Sequence, residues 1–309
     1  MALPFTDQVS ATTHSLLEST SEDNVYGSYT FLAHLKEVGQ VVKDGGDFIQ
    51  RPIIYQKIGA GGSYTGYDIL DTSPTDTDTA AKAYWKHYYV HVVISKTDLL
   101  RNSGDNAKVS LIESKVKNAQ LKMADMLSTD IFSTNGDSAT GITGLRNAAS
   151  TSTTHHYISP TDFSGWVADV DTTTSALSLS AMEGAYLDAS VGADSPTIIV
   201  CTAPIYKKYW ALLQANQEFD KEQTAWGGFR YLLFNGIPVV HDSHCPSKHM
   251  FMLNTRHLFL YVHENDNFSV EKLPPQATQA ITIQRLGFTG NLVVTNRRMI
   301  SAFTVLNYT

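Results

Sequence analysis

A chain of 309 residues, 42% hydrophobic and 17% charged, has enough apolar material to bury the core of one large domain or two ordinary ones. Its formal net charge of −7 argues against a dedicated nucleic-acid binder, which would carry a basic patch or stripe. Two cysteines make no disulfide framework, the first residues (Met-Ala-Leu-Pro-Phe-Thr-Asp) lack the basic and apolar regions of a secretory signal, and no apolar run is long enough to span a membrane, so a soluble protein made in a cytoplasm is expected.

Residues 1–44 begin polar and Ser/Thr-rich, and the first thirty could not form a core alone. They read as a tail or as an arm laid along other surface. Phe31, Leu32, Leu35 and Val38 then suggest a short amphipathic segment. Residues 45–95 read as two strands that leave the body and return. The outgoing run is Phe48–Lys57, and Pro52 cannot donate to a ladder, which makes this strand an edge. The return run is Tyr84–Ser95, with Tyr84, Lys86, Tyr88, Val90, Val92 and Ile94 on one face and Trp85, His87, Tyr89, His91 and Val93 on the other. Between them lie Gly59-Ala-Gly-Gly62 and an acidic, Asp/Thr-rich stretch. Two-stranded ribbons are marginal in water, so this one calls for a partner, and a lattice of copies is the natural source. An ordinary edge hairpin packed on its own domain is the plainer alternative.

A long helix is expected over 106–133. Val109, Ile112, Val116, Ala119, Met123, Leu127 and Ile131 form one apolar stripe at helical period, opened by Asn102–Asn106 and stopped at Asn135-Gly136. Lys108, Lys115, Lys117 and Lys122 alternate with acids on its solvated face. Loops and short strands fill 136–175. Ser180-Ala-Met-Glu183 reads as a capping box for a helix to about 190, Thr197–Thr202 as a buried strand, and Ala203–Gln214 as a second helix. Beyond the glycine-bearing stretch around Trp226–Phe229 the chain reads mostly β: 237–240, 250–253, 258–262, 281–283, 292–295 and 300–306.

The most catalytic-looking cluster is His241-Asp-Ser-His244-Cys245, with His249 nearby. It offers zinc-ligand types but no standard zinc spacing, and adjacent His244 and Cys245 would have to bend sharply to share one metal. A metal-dependent enzyme using His241, His244 and Cys245 is the alternative function this cluster carries, against a plain polar loop after a strand. His155-His156, in a Thr-rich loop, is expected to be exposed. Gly59-Ala-Gly-Gly62 lacks the Gly-Lys-Ser/Thr ending of a phosphate loop, and its glycines are expected to serve turn geometry.

The order of these parts resembles the major capsid proteins of tailed bacteriophages, the Hong Kong 97-like fold. The residues that carry the resemblance are Gly45-Gly46 before the outgoing strand, Ser63-Tyr-Thr-Gly-Tyr-Asp68 in the loop, Val92–Ser95 with Asp98-Leu-Leu100 before the long helix, Ile237–Val240, and Gly290–Asn296. The resemblance implies an α+β chain with an N-terminal arm (1–44), an extended β-hairpin loop (45–95), a peripheral domain with a spine helix (96–165), an axial domain (166–265) and a return to the peripheral domain (266–309). It implies pentamers and hexamers of an icosahedral shell around double-stranded DNA, without catalysis or cofactor. Lys57, Gly59, Gly61, Gly62, Tyr64 and Tyr67 would lie on the loop that meets a neighbouring subunit. The implied partners are further copies of the chain, a portal, the packaged DNA and a decoration protein. A separate scaffolding protein is also expected, since no long charged helical prefix is present. Some relatives join subunits through a loop lysine and a distant asparagine; Lys57 with Asn296 or Asn307 would be the positions here.

Overall fold

The computed structural model describes residues 29–54, 57–97, 105–173, 175–215, 223–224, 230–274 and 280–307. Most of the expected arm, the cap at 102–104, Asp98-Leu-Leu100 and the stretch around Trp226–Phe229 lie outside them.

The first described element is helix α1 (Thr30–Glu37), whose Phe31, Leu32 and Leu35 are buried in the main core. Strand β1 (Val41–Asp44) follows and pairs parallel with the much later β11 (Leu258–Lys272). The end of the expected arm is thus built into the body. β11 pairs antiparallel with β12 (Ile281–Val294), and β12 with β4 (Lys86–Ser95), which gives a four-stranded sheet in the order β1-β11-β12-β4.

β2 (Phe48–Ile54) and β3 (Asp78–Tyr84) form a separate two-stranded ribbon. This corrects the expected hairpin. The strand that returns alongside β2 is β3, and most of the run read as the return, Lys86–Ser95, is a body strand. Period-2 alternation marks a strand but does not name its neighbour. The even-numbered face of β4 turns inward, with Val92 and Ile94 buried, while His87, Tyr89, His91 and Val93 are exposed. Pro52 sits on an edge as expected, because among the described residues β2 pairs with β3 alone.

The long helix α2 spans Asp105–Ile131, about 40 Å at 1.5 Å per residue. Val116, Ala119, Met123, Leu127 and Ile131 are buried along its apolar stripe. Tyr88 Oη donates to Asp130 Oδ2 at 2.5 Å and accepts from Ile142 N at 2.7 Å, which pins β4 to the end of the helix.

The remaining strands form a seven-stranded sheet: β5 (Asp169–Asp171), β13 (Ile300–Phe303), β10 (Met250–Leu253), β6 (Ile198–Cys201), β9 (Ile237–His241), β8 (Arg230–Phe234) and β7 (Gln223–Thr224), in that spatial order. One face packs toward α2 and the four-stranded sheet in a single core that holds Met123, Leu127, Phe251, Leu258 and Phe288. The other face carries helices from 179–188 and 203–215, whose Met182 and Tyr209 share a cluster with Val239 and Met252 of the sheet. The first of these helices is capped by Ser178, which accepts from Ala181 N at 3.2 Å, and not by the expected box at Ser180. The runs expected at 281–283 and 292–295 are one strand. Polar, glycine-bearing residues between them pair through their backbones, which a hydrophobicity pattern does not register.

Candidate assembly surface

The ribbon has two parts with different chemistry. Its root has one inward row. Ile49 and Ala83 pack on Tyr261 and Val293 of the four-stranded sheet, and Ile53 and Ala81 pack on Ile158 and Trp166. The Arg51 guanidinium lies 5.0 Å from the centroid of Phe259 and 5.3 Å from that of Tyr261, a cation–π seat. Trp85 Nε1 donates to Gly46 O at 2.9 Å and closes the base. The ribbon therefore has a share in the body's core that the sequence did not reveal.

The distal part, 57–77, is almost entirely exposed. Lys57, Gly59, Gly61, Gly62, Tyr64 and Tyr67 all lie on it, with Tyr67 standing fully in solvent. Ile58, Ile69 and Leu70, not singled out from sequence, are exposed beside them. Their signal was weak because isolated apolar residues in an aperiodic acidic stretch fit no template. Five large apolar side chains (Ile58, Tyr64, Tyr67, Ile69, Leu70) on one short loop form a surface of the kind that marks a protein contact. Local order comes from polar turns: Thr65 N donates to Asp68 Oδ2 at 2.9 Å, and Ser73 N to Asp71 Oδ1 at 2.9 Å. Ser73 also holds the Asp71 carboxyl below the usual carboxylate range. Gly59, Gly61 and Gly62 do not adopt left-handed backbone. The loop glycine that does is Gly66, at φ 53°, in the Thr65–Asp68 turn.

The three candidate zinc ligands do not converge. The exposed His241 packs its ring 5.5 Å from Tyr206. Cys245 is buried, its Sγ 3.7 Å from His249 O, and burial, Cys201 and Asp242 push its thiol up. His244 Nε2 lies 2.9 Å from Asp125 Oδ1 of α2. Asp242, beside them, accepts Phe31 N at 3.3 Å and His244 N at 2.9 Å, so its carboxylate caps α1. Thr30 Oγ1 donates to His241 O at 3.3 Å, and the rings of Tyr29 and His244 meet edge-on at 5.1 Å. The cluster fastens α1 and α2 to the loop after β9. Among the described residues no group of three or more His, Cys, Asp or Glu side chains is arranged to hold a metal ion. Cys201 is also a buried free thiol, pushed up to about 12 by burial.

His155 and His156 are buried, against expectation. They belong to a polar knot around Arg297, which has no exposed surface and donates to the carbonyls of Asn147, Ala148, Ser150, Thr153 and Trp166. Burial lowers the Arg297 guanidinium to about 10, opposed by Asp137. Lys86 Nζ donates to the carbonyls of Asp137 and Ala139. Thr-rich flanks made the histidines look exposed, and their partners lie far along the chain.

Neither a protein-family model nor a curated protein matches the chain. Solved structures do. The cyanophage A-1(L) capsid shares 17% identity over 86% of this chain and 90% of that one, with a TM-score of 0.65. The capsid of a native GTA particle shares 11% over 89% and 90%, with a TM-score of 0.62. The holo-SrpI encapsulin complex from Synechococcus elongatus PCC 7942 shares 10% over 90% and 88%, with a TM-score of 0.59. The chain therefore has the α+β Hong Kong 97-like capsid fold across most of its length. Among the described residues no helix is long and apolar enough to cross a membrane.

Proposed function

We propose that the chain is the major capsid protein of a tailed phage, assembling as pentamers and hexamers into an icosahedral shell around double-stranded DNA. The observation that carries this reading is a body with the capsid fold that projects an exposed loop, 57–77, bearing apolar side chains its own core does not cover. Burial of that loop against a neighbouring copy supplies contact area; standard interfaces bury about 1,600 Å² in total, and several per subunit stabilise a closed shell. A loop that pivots on a fixed root suits rings of both five and six. In this reading the ribbon and its distal loop, 48–84, are the extended loop, α2 is the spine, 166–265 is the axial domain, and the role is structural and not catalytic. A scaffolding protein, a portal and non-specific contact with the packaged genome complete the set of partners.

Electron microscopy of the overexpressed protein tests assembly. Closed shells, tubes or rings of five and six are expected, and a persistent monomer at high concentration would overturn the reading. The likeness to an encapsulin complex makes the contents a separate question. Nuclease-protected double-stranded DNA of uniform length in native particles is expected for a phage head. Particles filled with a protein cargo instead would remove the phage part of the reading and leave the shell.

A further inference from the structure

The root of the ribbon rests on an unusual turn. Ile53 and Ala81 pack on Ile158 and Trp166, and Lys82 N donates to His156 O at 3.3 Å. Tyr84 meets Tyr157 edge-on at 5.6 Å. The turn is His155–Ile158, closed by backbone hydrogen bonds in both directions between its end residues. Its two central residues, His156 and Tyr157, have φ of 53° and 61°, a region that side-chain-bearing residues seldom adopt. Asp137 holds them there: its carboxylate accepts His156 N at 3.0 Å and Tyr157 N at 2.9 Å.

His155 at this turn has no room for a charge. His155 Nδ1 donates to Asn147 Oδ1 at 2.7 Å, and its buried Nε2 has no hydrogen-bond partner among the described residues. His156 Nε2 accepts Val294 N at 3.0 Å, and its Nδ1 faces Asp137, 3.6 Å from Oδ1. The two rings lie 4.0 Å apart. The charged groups around them are Arg297 (after β12), Lys86 (β4) and Asp137 (after α2), two cations to one carboxylate, with the phenols of Tyr157 and Tyr84 at the edge. Burial, then His156 and Arg297, holds His155 well below the ordinary imidazole range.

We propose that the His155–Ile158 turn is an acid-sensitive latch, which holds the Ile53–Ala81 part of the ribbon's root on the body near neutral pH and lets it go when the buried His155 takes up a proton. Opening the turn relieves its left-handed backbone and hydrates the imidazoles. It removes at once the Lys82 hydrogen bond and the Ile158–Trp166 seat. The apolar clusters around α2 and the seven-stranded sheet, and the seat of Ile49 and Ala83 on Tyr261 and Val293, lie apart from the Ile53–Ala81 seat. The sign follows from the neutral folded form: the latch is closed above the ordinary histidine range and opens as pH falls through and below it.

Hydrogen exchange on the full-length subunit tests this without assembly, so its outcome is separate from the capsid reading. Between pH 7 and pH 5, and beyond the intrinsic pH effect, the amides of Arg51, Ile53 and Thr79–Lys82 should lose about tenfold in protection, while those of β6 and β10 keep theirs. The His155→Gln/His156→Gln variant should show no such loss at the ribbon. Equal acid sensitivity of ribbon and β10 in the wild type, or an unchanged ribbon response in the variant, would overturn the latch. If the variant does not fold, the wild-type comparison of ribbon with β10 decides alone.

Discussion

Buried ionisable side chains set this molecule's most specific vulnerabilities. His34 lies in the main core on α1, and burial lowers its imidazole to about 4. The unfolded chain takes up the proton near the ordinary value of 6.5, so stability present above that pH is lost as pH falls toward 4. At pH 4.5 the loss from this group is roughly 2.5 kcal/mol. Urea unfolding at pH 7 and 4.5 should therefore show a smaller acid penalty in His34→Gln than in the wild type by about that amount; equal penalties would remove His34 as a cause. Arg297 is the other case. Its guanidinium feeds five carbonyls with no solvent contact. Arg297→Met strands those acceptors and should cost about 3 kcal/mol or more, read as a fall in the urea midpoint.

Among elements, the spine and the ribbon respond in opposite ways. Val116 is buried on the apolar stripe of α2, and Val116→Asp should destabilise the isolated subunit by about 3 kcal/mol, measured by chemical denaturation. The distal loop stands outside the core, and in the proposed shell it belongs to the contact. Ile54 and Asp78 are ladder partners, so replacing 55–77 with Asn-Gly closes the ribbon by a two-residue turn. That variant should remain folded, with wild-type unfolding behaviour, yet form no stable shells. A shortening carried on to residue 80 would cut into β3, whose Ala81 and Ala83 are buried, and should weaken the subunit as well. Loss of folding in the Asn-Gly variant would mean that the loop supports its own body.

For the whole molecule, the described residues fold as two sheets sharing one core across the spine, with a ribbon fastened at its root and free at its end. In the proposed shell, this division of labour suits a unit that stays the same while its neighbours change angle. Asn296, one of the two asparagines considered for covalent joining, uses its side-chain oxygen to accept Arg298 N at 3.2 Å. Native particles run under denaturing conditions should give a band at the single-chain mass; a ladder of multiples would show that subunits are joined through such a pair.

The sequence by itself determined what depends on near neighbours. The apolar stripe of α2, the buried strands 198–201 and 250–253, the edge position set by Pro52 and the alternating faces of β4 all follow from spacing and from one residue's own chemistry. Only the tertiary structure decided which strand answers which. β4 joined β12, almost two hundred residues away, and left β3 to return with β2. It also decided the fate of polar side chains, whose burial depends on partners far along the chain. His244 was drawn to Asp125, and His155 and His156 were enclosed beside Arg297. Periodicity records the side of an element that faces inward, but not what waits there.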